Sequence, residues 1–338
     1  MAKSPWPARR VTIKDIALEA AVDPSTVTRA LQGSERVKPA TRQRIAELAK
    51  RMGYVPNMAA RTLVTQRSHL LGVAIPDMTN PFFADLARGV EDESAKHRLQ
   101  VLIRNTEGDE AIERDAIQFF LELKVDGLLV PMARCPAAYY ASLGSSIPLV
   151  HVNRADTEHF VTCDTHAGSL AVMTHLLDHG HRSIAFITGP SGPLREPKKH
   201  AYEQALRDAG IDVNPDYVFR FDGHLDSTTA IAERILAVVP RPTAVFAWND
   251  VCAMGLIRAL RNRGIRVPDD MSIAGHDDIA LAACYEPALT TVHWPMYELG
   301  QQSVRYLYRL REGQVTRQPE IPAPALVVRA STGPVRRK

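Results

Sequence analysis

The sequence predicts an α/β protein in two parts: a small N-terminal bundle of three helices, then a longer core of parallel sheets covered by helices. Three observations predict it. Over the first sixty residues apolar positions recur at helical spacing, with turn signals between them. From about Leu70, short apolar runs alternate with helical runs, the βα pattern of parallel sheets. The charge is also divided. Residues 1–67 hold 13 Lys+Arg and 5 Asp+Glu, a balance of +8, whereas the other 271 residues hold 28 and 33, a balance of −5. A basic end on an acidic body suggests contact with a polyanion, although a solvated basic face would look the same.

The chain has 338 residues, 45% of them hydrophobic, enough for two or three domains and a sizeable core. No stretch approaches the roughly 18 apolar residues of a membrane helix. The opening "MAKSPWPARR" lacks an apolar core and does not read as a secretory signal. Cys135, Cys163, Cys252 and Cys284 lie far apart and form no CxxC pair. They read as reduced cytoplasmic thiols, mostly buried, rather than a zinc site or disulfide framework.

The first helix is expected after Thr12, with Asp15 three residues on as a capping box. Ile13, Ile16, Ala17 and Ala20 form its apolar face, and Val22 lies in a turn. Asp23 as N-cap and Pro24 as first helical residue start a second helix, with Val27, Ala30 and Leu31 inward and Gly33 as its stop. A third runs from about Ala40 to Met52, buried through Ile45, Leu48, Ala49 and Met52. Two helices joined by a short turn and braced by a third make a helix-turn-helix, which small bundles also imitate. The outer side of the second helix carries Ser25, Thr28 and Arg29, short donors and one forked donor that can bond guanine O6 and N7 together.

The elements "TIKDIA", "STVTRAL", "RVKPATRQRI", "GYVPN" and "AARTL" stand in order at the N-terminus, and the segment resembles the headpiece of the LacI/GalR family of bacterial transcription regulators. One mild departure is Ala21, where a glycine is common in the turn. The resemblance implies that the second helix lies in the major groove of double-stranded operator DNA. Pro24, Ser25 and Arg29 then occupy base-reading positions, with Pro24 limited to apolar or shape contacts. Thr12, Thr26, Thr28, Arg36 and Tyr54 are then phosphate or positioning contacts, and Asn57 completes the implied DNA-binding set. "NMAARTL" is too short for a stable isolated helix and on its own reads as a linker. The resemblance implies a hinge helix formed on operator DNA, with Leu63 wedged into the minor groove.

In the body, "LLGVAIPD", "QVLIRNT", "DGLLVPM", "IPLVHVN", "SIAFITGP", "YVFRFD", "TAVFAWND" and "MSIAGHDD" read as strands. Phe82–Leu99, Asp109–Lys124, Thr165–Gly180 and Asp250–Gly264 read as helices between them. About 260 residues of this pattern suit two lobes. Neither nucleotide fingerprint is present, so no phosphate loop is expected. Ligands in such folds bind beyond the strand C-termini, where Asp77, Asn105, Asn153, Asp222, Asn249 and Asp277 form a polar set.

The family resemblance continues through "IPDMTNPFFADLARGVE", "LLDHGHRSIAFITGP" and "WNDVCAMGLIRALRNRGIRVPDDMSIAGHDDI", covering residues 11 to about 332. It implies a periplasmic-binding-protein-like body that closes on a small effector. Phe82 and Phe83 match the wall that packs on the effector, Asp277 the carboxylate that bonds it, and Asn249 a cleft amide, with Asp250 bracing the helix. Lys198 stands where an arginine is usual, four residues before Tyr202, and His224 where a stacking aromatic is usual. Asp77, Arg195 and Trp248 complete the expected effector set. Reading "SGPLREPKKH" as a loop facing the cleft, Arg195, Lys198 and Lys199 favour an anionic end on the effector, although Arg195 and Lys199 can equally face solvent.

Plainer readings compete at several positions. Phe82 and Phe83 can be core, Asp277 a helix cap, and His175, His179 and His181 ordinary structural residues rather than a metal site. The expected organisation is a headpiece at 1–56, a hinge helix and linker at 57–68, and a two-lobe effector-binding and dimerisation core at 69–338. The expected function is a cytoplasmic, homodimeric DNA-binding regulator, most simply a repressor, controlled by a sugar or sugar acid (or sugar phosphate), with no cofactor, metal, membrane or catalytic residues. A solute-binding protein is disfavoured by the basic headpiece, and a nucleotide-dependent enzyme by the missing phosphate loop.

Overall fold

The computed structural model describes residues 11–55, 62, 67–143, 147–190, 195–314 and 317–336. The chain divides into two compact units, Met1–Ser68 and His69–Lys338.

In the first unit α1 spans Ile13–Ala20, α2 Pro24–Leu31 and α3 Pro39–Arg51. The capping box at Thr12 is present: the Thr12 N–H donates to Asp15 Oδ2 at 2.8 Å, and the Asp15 N–H to Thr12 Oγ1 at 3.4 Å. Ala21 takes the left-handed turn, φ 50°, that a glycine would adopt without cost. Asp23 sits at the N-cap of α2, but its side chain bonds no helix N–H, contrary to expectation. Pro24 at the first position removes one donor that would otherwise need a partner. Ile16, Val27, Ile45 and Leu48 meet in the core. Two arginines close the bundle. Arg44 donates to Ala20 O at 2.9 Å, and Arg42 donates to Gly33 O at 3.0 Å and Ser34 O at 3.1 Å. These carbonyls lie at helix ends, where no intrahelical donor reaches.

The second unit starts with β1 Leu70–Ile75, α4 Phe82–Lys96, β2 Gln100–Asn105, α5 Glu110–Glu122, β3 Gly127–Pro131, α6 Ala137–Ser142, β4 Leu149–Val152 and β5 Phe160–Val161. These strands form a parallel sheet in the order β2-β1-β3-β4-β5. The chain then runs through α7 Thr165–Asp178, β6 Ile184–Thr188, α8 Arg195–Asp208, β7 Val218–Arg220, α9 Ser227–Ala237, β8 Ala244–Phe246, α10 Asp250–Arg261, β9 Ser272–Ala274 and α11 Ala280–Cys284. The second sheet is parallel in the order β7-β6-β8-β9. Both sheets reverse direction beside their first strand, and ligands of such sheets bind at that switch point. Two features differ from the sequence reading. "SGPLREPKKH" is helical from Arg195 onward, not a loop. An antiparallel pair, β10 Thr291–His293 with β11 Ala325–Val327, accompanies the parallel sheets.

The last helix, α12 Met296–Arg311, packs against α4 and touches β3, β4 and β5 of the first sheet. The chain therefore passes between the lobes three times: after β5, between β10 and α12, and between α12 and β11. The α4–α12 contact is backbone to backbone. A Cβ on Gly89 would stand 2.1 Å from Tyr297 O, and one on Gly300 2.4 Å from Leu86 O. Beside this crossing, buried Glu93 accepts from Arg305 and Lys96, each at 2.8 Å. The Arg305 hydrogen bond is the main reason its carboxyl is lowered to about 2.

Gly300→Ala is expected to force the two helices apart and cost about 1–3 kcal/mol, read as a lower urea midpoint. Glu93 ionises more readily folded than unfolded. Its contribution is full above pH 4.5 and fades as pH falls toward 2. Glu93→Gln should cost about 2 kcal/mol at pH 7 and flatten the stability curve across that acid range, checked by denaturation at a series of pH values.

Candidate functional site

The headpiece presents one polar face. Pro24, Ser25 and Arg29 are exposed on α2, whereas Val27 and Ala30 are buried behind them. Ser25 and Arg29 are four residues apart and share a face. The Thr28 hydroxyl donates to Pro24 O at 3.0 Å and the Thr12 hydroxyl to Asp15 Oδ2 at 2.7 Å, so both are partly committed inside the fold. Thr26 is half-buried, Tyr54 packs on the bundle core, and Arg36 is exposed after α2. Asn57 and Leu63 lie outside the described residues. The structural role of Arg42 and Arg44 went unread in the sequence, because no local pattern says which arginine meets which helix end.

In the second unit the site builds at the switch point between β6 and β8. Lys198, in the first turn of α8, is only 2% exposed. Its Nζ donates to Trp248 O at 2.7 Å and lies 4.2 Å from the centre of the Trp248 ring. Burial lowers the amine to about 8, against the opposing pull of Asp277 and Asp250. Gly189, just past β6, makes room for Trp248: a Cβ there would stand 2.1 Å from its ring.

Asp277 is buried beyond the end of β9, and its φ of 151° is a backbone conformation that side chains rarely adopt. Burial holds its carboxyl well above the usual range; Lys198 opposes that shift and Asp250 adds to it. Its carboxylate accepts no hydrogen bond among the described residues and makes no direct ion pair with Lys198. The backbone around it is tied down. Asp277 N donates to Val292 O at 3.1 Å, and Asp278 accepts from Arg329 at 2.6 Å and lies 3.0 Å from His293 Nδ1. Asp278 is thus the structural carboxylate of the pair. Asn249 caps α10 through Cys252 N at 2.9 Å.

Phe82 and Phe83 both sit in the core rather than open to the cleft, their rings edge to face at 5.3 Å. Phe82 meets Trp294 edge to face at 5.8 Å. Trp294 Nε1 donates to His276 Nδ1 at 2.9 Å, which leaves the His276 proton on Nε2, facing Ser169 Oγ at 3.3 Å. Burial, reinforced by Lys198, keeps this imidazole neutral.

Other expected residues lie apart from this cluster. Asp77 Oδ1 accepts from Thr79 N at 2.8 Å and Thr79 Oγ1 at 2.6 Å, which fixes the loop before α4. His224 is exposed in a turn held by Asp222 at 2.9 Å. Lys199 lies 3.5 Å from Glu203 on the surface of α8, and the Arg195 side chain is outside the described set. Of the described side chains in the expected row of cleft cations, Lys198 alone is buried at this site, and it is committed to Trp248. His175, His179 and His181 make structural hydrogen bonds, His175 to Thr332 at 2.8 Å and His181 to Gly333 O at 3.0 Å, clasping the C-terminal segment.

Comparison with known proteins gives a consistent picture. Residues 12–57 match the bacterial regulatory proteins of the lacI family, and residues 173–332 match the periplasmic binding protein-like domain. The chain is 34% identical over 306 residues to catabolite control protein A of Priestia megaterium, spanning 88% of this chain and 91% of that one. It is 34% identical over 310 residues to the HTH-type transcriptional repressor CytR of Escherichia coli strain K12, spanning 90% of each. The PurR repressor of Photobacterium profundum is 32% identical over 328 residues, spanning 95% and 98%. Among solved structures, the lac repressor dimer bound to operator and the anti-inducer ONPF has a TM-score of 0.86 at 25% identity, covering 96% of this chain and 100% of that one. The regulator CcpA of Lactococcus lactis has a TM-score of 0.71 at 28% identity, covering 78% and 98%.

Proposed function

Because the chain belongs to the lacI family of bacterial regulatory proteins, whose matched relatives are DNA-binding regulators and not enzymes, we propose that it represses transcription under the control of a small effector. It binds a pseudo-palindromic operator as a homodimer, since one recognition helix reads one half-site. Ser25 and Arg29 read base edges. Pro24 sets shape, and Thr12, Thr26, Thr28, Arg36, Tyr54 and Asn57 position the headpiece on phosphates. Leu63 acts in the hinge at the minor groove. The protein works in the cytoplasm, where its operator is. The repressing sign is supported by the names of the relatives CytR and PurR.

The observation that carries the effector half is Asp277. A largely enclosed carboxylate, 9% exposed and with no hydrogen-bond donor among the described residues, offers an acceptor that an effector hydroxyl or ring N–H can fill. Lys198 and Trp248 form the opposite side of the same site, with Asn249 beside them and Phe82 and Phe83 as the wall that positions Trp294. A sugar with several hydroxyls suits this arrangement. A sugar acid or sugar phosphate also requires Lys198 to turn from Trp248 O toward the anion.

Selection of duplexes from a random pool by the purified protein should enrich a two-fold symmetric site; an isolated half-site would defeat the dimer reading. Arg29→Ala should weaken binding to that site by about 1–3 kcal/mol and relax choice at one base pair, measured by fluorescence anisotropy on single-base variants. Uniform loss on all sequences would mean that Arg29 only touches phosphate. Asp277→Asn should keep DNA affinity while abolishing the thermal stabilisation given by whichever sugar of a neutral and acidic panel protects the parent protein.

A further inference from the structure

The last described residues, 329–336, lie along the second lobe as a strap. Its first half is stitched by backbone bonds: Ala330 N donates to Ala288 O at 2.9 Å, and Ser331 O accepts from Ile273 N at 2.8 Å. Its second half is held at the C-terminal end of α7 and the turn beyond it, by three histidines. His175 Nε2 lies 2.8 Å from Thr332 Oγ1, His179 O accepts from Val335 N at 2.9 Å, and His181 Nε2 lies 3.0 Å from Gly333 O. Val335 also rests on Gly180, where a Cβ would stand 3.0 Å from its Cγ1.

These contacts suit neutral rings. Gly333 O can only accept, so His181 Nε2 carries the proton of the neutral imidazole, and the Thr243 hydroxyl, 2.9 Å from Nδ1, donates to the other nitrogen. His181 is 2% exposed, and Ser272 Oγ, 3.1 Å from Nε2, completes a surround of hydroxyls and a carbonyl. His175 and His179 stand with ring centres 4.3 Å apart. Burial is the main cause that lowers both His175 and His181. Charge on His179 or His181 opposes a proton on His175, and Asp178 favours one; charge on His179 opposes one on His181. Arg182 is exposed and spends its guanidinium on Leu177 O and His181 O, each at 3.0 Å. Arg336 pairs with Asp269 at the outer end of the strap, an exposed contact that adds little.

We propose that the three histidines make this end of the chain an acid-sensitive strap: residues 332–336 leave the second lobe when His175 and His181 take up protons, while the sheet beneath stays folded. A proton gained on His181 with the strap closed is a buried charge that meets no carboxylate among the described residues. With the strap open, water solvates it. The closed state therefore holds fewer protons than the open one, so closure is favoured above pH 6.5 and is lost as pH falls below it. The release reaches the neighbour of Asp277. Thr332 Oγ1 lies 2.9 Å from Thr290 Oγ1, which accepts from Arg329 N at 2.9 Å, and Arg329 holds Asp278 at 2.6 Å.

Hydrogen exchange of the full-length protein, read by mass spectrometry and corrected for the intrinsic pH dependence of exchange, tests this. Between pH 7.5 and 5.5 the protection of residues 332–336 should fall at least roughly tenfold, the effect of one linked proton over one pH unit, while peptides from β6 keep theirs. The double variant His175→Gln, His181→Gln, whose amides hydrogen-bond without titrating, should keep the strap protected at pH 5.5. In the parent protein, labelled with ¹³C at histidine Cε1, both rings should titrate over the pH range in which the strap opens, a reading that stands without the variant. Unchanged protection of 332–336, a loss shared equally by β6, or an equal loss in the folded variant would overturn the proposal. So would rings that become charged while the strap stays protected.

Discussion

The corner where β8, β9 and β10 meet hangs on one buried carboxylate, Asp250. It is fully enclosed in the first turn of α10, where its oxygens accept from Ile279 N at 2.9 Å and from the Thr291 hydroxyl. It thereby ties the end of β8, the loop beyond β9 and the β10 strand into one corner. Burial raises its acid to about 6, and a buried carboxyl persists only because its acceptors are filled. Its space is reserved by Gly275, where a Cβ would come within 2.3 Å of Asp250 Oδ1. With Gly275 and Ile279 fixed on either side, the chain between them has little freedom, and Asp277 is held in its costly backbone conformation. Its own carboxyl meets no donor there. Asp250 is the donor-satisfied member of the pair, and Asp277 is the one that accepts no hydrogen bond from the described residues.

Much of the fold is written in interactions that span four residues or fewer, and those were legible. The Thr12–Asp15 box, the Pro24 start of α2 and the helices at Phe82, Glu110, Thr165 and Asp250 follow from caps and apolar spacing. What was not legible depends on distant partners. Lys198 finds Trp248 fifty residues away, Trp294 finds His276 eighteen away, and Asp250 finds Thr291 forty-one away. Lys198 read as an open cleft cation because "SGPLREPKKH" looks polar. The helix from Arg195 turns that position inward instead. The polar residues at strand ends were correctly located, yet Asp77, Asn105, Asn153, Asp222 and Asn249 each spend an oxygen on a backbone N–H. Turn chemistry and ligand chemistry use the same residue types, so sequence alone cannot separate them.

The same division of labour runs through the basic headpiece. Its balance of +8 counts Arg42 and Arg44, which are turned onto helix-end carbonyls. Lys14, Arg29, Arg36, Lys38, Lys50 and Arg51 are exposed, and Arg44 keeps much of its surface in solvent despite its bond to Ala20 O. Exposed cations therefore lie on α3 as well as around α2. The bundle holds its shape partly with the same residue type that it uses for attraction, which is economical in a unit too small to rely on its core alone.

The path from the cleft back toward the headpiece is also set by contact geometry. Phe82, at the start of α4, packs on Trp294, two residues before α12 begins. The two helices then run against each other with no side chain between them at Gly89 and Gly300, so α12 cannot shift without carrying α4 or breaking the crossing. At its far end, Arg311 reaches Asp126 at 3.2 Å, and the same carboxylate accepts from the backbone N–H of His69 at 3.2 Å. His69 is the first residue of the second unit and the point at which the chain arrives from the headpiece. The cleft wall and the covalent tether are thus joined through one tight helix pair and one shared carboxylate. A rearrangement at Trp294 has a short, stiff route to residue 69, and the second sheet, near Lys198 and Trp248, meets that route where Trp294 donates to His276 beyond β9. The lobe that carries Lys198 and Trp248 is thus distinct from the lobe that holds the tether, and under the proposed function a difference in lobe arrangement is what an effector would report.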